Sequence, residues 1–213
     1  CMNQLAVVYN SAGQIREAIA LMEKAQPIVK KTFGDGSVAT INAQNNLATA
    51  YLAAGRIDEA VSLMEKTLET CRKSLGDEHQ STLQVMNNIA GIYSNMGLYG
   101  VAIPRFKTTL EGQRRVLGPN HPLTLATACN LGNVYRLHGK NDLALPLLKE
   151  TLAAAEQQLG PDHETTLNCL NHLGNLYQST KQLDLAIPTL ERVVAGFQKK
   201  YGDESPDTAI AKN

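Results

Sequence analysis

The sequence predicts an all-α solenoid, built as a stack of antiparallel helix hairpins, because one 42-residue unit recurs along the whole chain. Five of the seven tyrosines fall at this interval, from Tyr9 to Tyr177, and glycine, alanine and threonine columns keep it without an insertion. Within each unit, apolar residues twice follow the i, i+3/i+4 spacing of a helix, before and after a short break. A fixed period of this length is typical of repeats that pack mainly on their neighbours.

The register divides the chain, residues 1–213, into one array of repeats. The predicted repeats cover about 1–34, 35–76, 77–118, 119–160 and 161–202, with the start of a sixth at 203–213. The chain begins partway through a repeat, so we expect a piece of a longer array. Its ends should expose apolar faces and favour end-to-end self-association at high concentration.

Composition excludes several classes of function. The 20 basic and 20 acidic residues balance, so no electrostatic footprint for nucleic acid is present. No apolar run approaches the roughly 18 to 20 residues of a membrane-spanning helix. The four cysteines lack metal-site spacing and occupy different repeat columns, which predicts reduced thiols in a reducing compartment, the cytoplasm. We expect no metal and no cofactor.

The break inside each repeat carries a glycine in four of five copies. These residues are Gly13, Gly55, Gly97 and Gly139. Glycine adopts the left-handed conformation that ends many helices, so they predict C-caps of the first helix of each repeat. Lys181 holds this place in the fifth repeat, where the same conformation costs about 1 kcal/mol relative to glycine.

The second helix of a repeat is predicted to start at an aspartate in three copies. These are Asp58, Asp142 and Asp184, whose carboxylates can accept from the free N–H groups of a first turn. The turn before the next repeat carries His79, His121 and His163 in one column beside the predicted helix starts. Since one repeat supplies only one such ligand, we interpret these histidines as capping or packing residues.

The column pattern of Leu131, Gly132, Tyr135, Gly139, Ala144 and Leu148 resembles the tetratricopeptide repeat. The strings LGPNHPLTLATACNLGNVY and LGPDHETTLNCLNHLGNLY are similar to the 42-residue repeats of kinesin light chains and related arrays. This resemblance implies a right-handed superhelix whose first helices line a concave groove. The repeat form also resembles the sensor arrays of STAND-type signalling NTPases and of bacterial repeat kinases.

The resemblance places a set of mostly amide side chains in the groove. The set comprises Asn42, Asn45, Asn46, Gln84, Asn87, Asn88, Asn130, Asn133, Arg136, Asn168, Asn171, His172, Asn175 and Gln178. Asparagine costs about 0.7 kcal/mol against alanine within a helix, so another contribution must favour it at so many helical positions. Two explanations stay open, namely that the amides pair with the backbone of an extended peptide, or that Asn46, Asn88 and Asn130 bond to neighbouring helices and fix the stacking.

We therefore predict a non-enzymatic scaffold or adaptor, similar to kinesin light chains, that binds an extended peptide or a partner helix in its groove. Arg136 is the single cationic residue of the predicted groove, which favours an uncharged segment. The alternative is a sensory or regulatory array of a larger signalling protein, a STAND NTPase or a kinase, whose catalytic domain lies outside this sequence. Neither a phosphate-binding loop nor a catalytic motif occurs in the sequence.

Overall fold

The computed structural model describes Tyr9 and residues 13–202, and the regular structure within residues 13–202 is wholly α-helical. The helices are α1 (Ile15–Phe33), α2 (Val38–Ala53), α3 (Ile57–Leu75), α4 (Gln80–Asn95), α5 (Tyr99–Val116), α6 (Pro122–Leu137), α7 (Asn141–Leu159), α8 (Glu164–Ser179) and α9 (Leu183–Tyr201). The predicted sixth repeat and most of the predicted helix before Gly13 lie outside the described residues. The all-α prediction is confirmed.

Within each of the two compact units described below, consecutive helices pack against each other as hairpins, which fits the predicted solenoid class. The first helices of the repeats are α2, α4, α6 and α8, and the second helices are α1, α3, α5, α7 and α9. The chain divides into two compact units, an N-terminal unit Cys1–Met96 and a C-terminal unit Gly97–Asn213. In the C-terminal unit, the first helices α6 and α8 also contact each other extensively.

Each first helix ends in the left-handed turn that the glycine column predicts. After α2, Gly55 has a φ of 73°, and the N–H of Arg56 donates to the carbonyl of Tyr51 at 2.8 Å. A second bond from the Gly55 N–H to the Leu52 carbonyl completes a Schellman motif. Lys181 adopts the same conformation with a φ of 61°. The turn is therefore a property of the repeat that holds even where glycine is replaced.

The second helices do not start at the predicted aspartates. They begin one residue earlier, at Ile57, Asn141 and Leu183, and the residues before them make no side-chain capping bond. The physical reason is the left-handed turn, which leads directly into the helix. After Gly55, Arg56 already accepts the first intrahelical bond, from the N–H of Ala60 at 3.1 Å. Asp58 and its equivalents lie within the first turn and interact favourably there with the helix dipole.

The histidine column caps the first helices, as predicted. Nδ1 of His79 accepts from the N–H of Ser81 at 3.1 Å, and Nδ1 of His121 accepts from the N–H of Leu123 at 3.2 Å. His163 makes the same bond to the N–H of Thr165 at 3.2 Å. A side-chain acceptor at this position, here the imidazole Nδ1, satisfies one of the free N–H groups of a helix start.

Small residues let the two helices of a hairpin approach closely. A Cβ atom added at Gly132 on α6 would lie 2.6 Å from Cδ2 of Leu148 on α7, a side chain that is fully buried. Gly174 on α8 meets Leu190 on α9 in the same way, also at 2.6 Å. Because interiors are close-packed, these positions fix the distance between the paired helices.

The prediction that the cysteines are reduced is wrong for one pair. Cys129 on α6 and Cys169 on α8 form a disulfide, with Cα atoms 5.5 Å apart. Both residues are buried, and they are 40 residues apart in the sequence instead of one full repeat. Cysteines in different columns can meet because neighbouring first helices pack side by side. Cys71 is a buried free thiol.

None of the helices between Gly13 and Gly202 is long and apolar enough to cross a membrane.

Two glycine-to-alanine changes test the close packing. Gly132→Ala should lower the free energy of unfolding by about 1 kcal/mol, since overpacking costs about 1 to 3 kcal/mol and the gain in helix propensity is about 1 kcal/mol. Gly91, in the interior of α4, has open space around it. Gly91→Ala should therefore raise the free energy of unfolding by about 1 kcal/mol. Urea titration measures both changes, and two shifts of the same sign contradict the packing argument.

Candidate functional site

The predicted groove residues lie on one face of the first helices, in each of the two units. Those that are partly buried are Asn45, Gln84, Asn87, Asn88, Asn130, Asn133, Arg136, Asn171, His172 and Asn175. Those that are exposed are Asn42, Asn46, Asn168 and Gln178. Partly buried amides need hydrogen-bond partners. Bonds to a neighbouring helix indicate a stacking role, whereas amide groups that make no such bond are available to a ligand.

In the N-terminal unit, the amides connect two neighbouring first helices. Nε2 of Gln84 donates to Oδ1 of Asn88 at 3.0 Å, within α4. Nδ2 of Asn88 then donates to Oδ1 of Asn45 on α2 at 3.4 Å. Asn88 therefore makes a bond across helices of the kind that the stacking explanation expects. Asn46, named with it in that explanation, makes no side-chain hydrogen bond to the described part of the chain.

In the C-terminal unit, the amide bonds instead stay within single helices. Oδ1 of Asn133 accepts from Nε and one terminal nitrogen of Arg136 at 3.1 and 2.8 Å, both on α6. Nδ2 of Asn175 donates to Oδ1 of Asn171 at 3.3 Å, both on α8. These contacts leave the amide nitrogen of Asn133 and the amide oxygen of Asn175 available on successive first helices.

Arg136 and His172 set the charge of this surface. Loss of hydration lowers the pKa of Arg136, but the guanidinium stays protonated at neutral pH. His172 retains some solvent exposure, yet protein atoms crowd its imidazole. This desolvation, together with the charge of Arg136, lowers the pKa of His172 to about 4. Among the predicted groove residues of the C-terminal unit, Arg136 therefore carries a positive charge at neutral pH, and the imidazole of His172 is neutral.

A cleft in the N-terminal unit lies on the other side of the first helix α2 and was not predicted. It has a volume of about 600 Å³ and lies between α1 and α3, with Leu47 and Tyr51 of α2 along it. The hydroxyl of Tyr51 donates to Oε1 of Glu23 at 2.8 Å, and burial with this bond raises the tyrosine pKa to about 12. The tyrosine column was visible in the sequence, but its cleft depends on how consecutive second helices are spaced.

The match to a family model identifies the class of protein. Overlapping matches to the tetratricopeptide repeat model cover residues 1–73, 40–111, 81–157 and 139–199, so the chain belongs to the tetratricopeptide repeat family. Its repeats are of the 42-residue type similar to kinesin light chains. No curated protein matches the chain.

Solved structures show the same relationship. A Podosopora anserina protein assigned as a kinesin light chain, with nearly identical TPR-like repeats, is 30% identical over 93% of this chain and 94% of that chain, with a TM-score of 0.74. BtubC (BKLC) from P. vanneervenii is 21% identical over 94% and 80% of the two chains, with a TM-score of 0.76. The quorum sensor NprR was solved in its apo form, from B. thuringiensis, and in complex with its cognate peptide NprX, and it shares the fold. In the complex, NprR is 16% identical to this chain over 98% of this chain and 63% of that chain, with a TM-score of 0.68.

The bond between Asn88 and Asn45 predicts a stability difference between two asparagines. Asn88→Ala should lower the free energy of unfolding by about 1 kcal/mol, because losing two partly buried bonds outweighs a propensity gain of about 0.7 kcal/mol. Asn46→Ala removes an exposed amide and should raise it by about 0.5 kcal/mol. Chemical denaturation of both variants measures the difference. Equal shifts would show that the cross-helix bond contributes nothing to the stacking.

The lowered pKa of His172 predicts a loss of stability in mild acid. The folded pKa of about 4 lies below the usual 6.5, so the unfolded chain binds the proton first as the pH falls. Stability is then lost between about pH 6.5 and pH 4, and by pH 5 the loss amounts to at most about 2 kcal/mol. Urea unfolding at pH 7.5 and pH 5 should show a smaller decrease in His172→Gln than in the wild type. An identical decrease in both proteins would contradict a desolvated, neutral imidazole at His172.

Proposed function

We propose that the chain is a non-enzymatic interaction scaffold whose first-helix face binds an extended peptide or a partner helix. The observation that carries the proposal is the set of partly buried amides in the C-terminal unit whose bonds stay within their own helices. Side chains that fixed the stacking would bond across helices, as Asn88 does to Asn45. Asn133 and Asn175 do not, and each keeps one unshared hydrogen-bonding group.

The unshared groups fit the backbone of an extended segment. A peptide backbone offers one N–H donor and one C=O acceptor at each residue. The amide nitrogen of Asn133 can donate to such a carbonyl, and the amide oxygen of Asn175 can accept from such an N–H. Each bond of this kind contributes about 0.5 to 1.5 kcal/mol net. Recognition through the backbone depends little on the side chains of the ligand, so specificity must come from other contacts.

Charge favours an uncharged or mildly polar ligand. Among the predicted groove residues Arg136 is the single cation, and its guanidinium is already bonded to Asn133. His172 is neutral at physiological pH because its pKa is lowered. An acidic ligand would therefore gain little from this face.

Related structures support binding of a peptide by this fold. NprR was solved with its cognate peptide NprX, and a Rap protein was solved with the Competence and Sporulation Factor. Since NprR is a quorum sensor, a sensory array of a larger signalling protein is the second candidate function. A nucleotide-binding motif in the full-length gene would favour that candidate, and a coiled-coil segment before the repeats would favour an adaptor.

End-to-end self-association stays a prediction. On α9, Ile187 is 57% exposed, whereas Ile103, at the same repeat position on α5, is 8% exposed. This difference supports contact of α9 with a further apolar surface, such as a second copy of the chain.

A double substitution in the groove tests the proposed function. Asn133→Ala with Asn175→Ala should weaken binding of a peptide obtained by display selection about tenfold or more, which corresponds to about 1.4 kcal/mol. The melting temperature should stay the same or rise slightly, because the two pairs that are lost lie within single helices, where each contributes about 0.2 to 0.5 kcal/mol, and alanine is the better helix former by about 0.7 kcal/mol per residue. Isothermal titration and thermal denaturation measure the two effects.

The exposed pair Asn42 and Asn46, changed to alanine, is the matched control in the N-terminal unit and should leave affinity unchanged if the peptide binds to α6 and α8. A double variant that melts several degrees lower with unchanged affinity would show that Asn133 and Asn175 fix the stacking. The peptide would then have to bind elsewhere.

A further inference from the structure

One first helix in each unit, α2 and α6, has a second face, directed away from the predicted groove residues, that contributes to a cleft between second helices. On α2, Leu47 follows Asn45 by two residues, which is about 200° around the helix axis. Leu47 and Tyr51 line the cleft between α1 and α3, whereas Asn42 and Asn45 lie on the groove side. The cleft and the groove are therefore separate surfaces of the same helix.

The same cleft recurs in the C-terminal unit. It lies between α5 and α7, has a volume of about 310 Å³, and includes Leu131 and Tyr135 of α6. All eight residues that line it lie two repeats after residues that line the N-terminal cleft. The clefts of the two units are therefore formed by the same repeat positions.

In the N-terminal cleft, the chain supplies its own carboxylates. The Tyr51 hydroxyl donates to Glu23, and the guanidinium of Arg56 lies over the tyrosine ring, 4.3 Å from its centroid. Arg56 also forms ion pairs with Glu23 at 3.5 Å and with Glu59. The polar groups around this tyrosine are thus satisfied within the chain.

In the C-terminal cleft, the carboxylates are replaced. Lys107 occupies the repeat position of Glu23, and Leu143 occupies that of Glu59. Nζ of Lys107 lies 6.0 Å from the centroid of the Tyr135 ring, and Leu143 is 43% exposed. Within residues 13–202, the Tyr135 hydroxyl makes no hydrogen bond, and Lys107 and Arg114 make no ion pair. Glu111 is the single carboxylate that lines the cleft, so its net charge is positive.

We propose that this C-terminal cleft binds an acidic segment of a partner protein, one in which a carboxylate stands beside a large apolar side chain. The carboxylate takes the place on the Tyr135 hydroxyl that Glu23 takes on Tyr51, and Lys107 and Arg114 strengthen that bond through their charge. The apolar side chain covers Leu143, whose exposed area is otherwise in water. Charge complementarity selects this partner, and the site is independent of the amide groove.

Fluorescence anisotropy on the full chain tests the proposal with a defined probe. The probe is a fluorescein-labelled synthetic peptide of four Glu-Glu-Leu triplets, and its counterpart has glutamine at every glutamate. The glutamate peptide should bind at least about tenfold more tightly than the glutamine peptide at low salt. Lys107→Glu should weaken its binding about tenfold or more, because the new carboxylate takes the Tyr135 hydroxyl and repels the peptide.

Two controls separate this site from general charge and from the groove. Lys31→Glu makes the same charge change at an exposed position of α1 and should leave the affinity within about twofold. The Asn133→Ala, Asn175→Ala variant should also bind the glutamate peptide normally, whether or not the groove proposal holds. Lys107 is exposed, so its substitution should leave the circular dichroism spectrum unchanged.

Three outcomes would overturn the proposal. The first is equal binding of the two peptides, or no binding of the glutamate peptide at millimolar concentration. The second is unchanged affinity in Lys107→Glu. The third is a loss of affinity in the groove variant with none in Lys107→Glu, which would place the acidic segment in the groove.

Discussion

The structure depends on the geometry of the helix hairpin in each repeat. Its two helices make a close contact, and a left-handed turn joins them. A Cβ atom at position 132 would clash with Leu148, so the close approach of α6 and α7 requires glycine there. The turn at Gly55, repeated at Lys181 with a different side chain, sets the direction in which the second helix leaves. Because both features recur in register, each repeat presents the same positions to its surroundings.

A fixed scaffold allows the chemistry of each column to change without a change of fold. Glu23 and Lys107 occupy equivalent positions with opposite charge, and the tyrosine beside them contacts a carboxylate in one unit and an ammonium in the other. Asn45 and Cys129 also occupy equivalent repeat positions. At this position Cys129 forms a disulfide, whereas Asn45 carries an amide. Exposed and partly exposed columns can therefore diverge independently, since each residue depends mainly on its nearest repeats.

Asparagine illustrates how one residue type serves two purposes on such a scaffold. The amide of Asn88 bonds across helices, from α4 to Asn45 on α2, in the N-terminal unit. The amides of Asn133 and Asn175 bond within their helices, which keeps them partly available to a ligand. The difference follows from the neighbours, because an amide bonds across helices only where a matching group faces it on the next first helix.

The sequence by itself determined the all-α solenoid, the hairpin in each repeat, the glycine turns and the histidine caps, because these depend on contacts between residues close in sequence and on the repeat period. It also placed the amides on the first helices. Only the tertiary structure decided that Asn88 bonds to Asn45, that Cys129 meets Cys169 and that a tyrosine-lined cleft opens between second helices. Those features depend on the spacing and rotation of neighbouring helices. Side-chain packing sets both, and the repeat period does not determine them. The starts of the second helices were misplaced by one residue for a local reason, since the geometry of the left-handed turn outweighed the capping preference of Asp58.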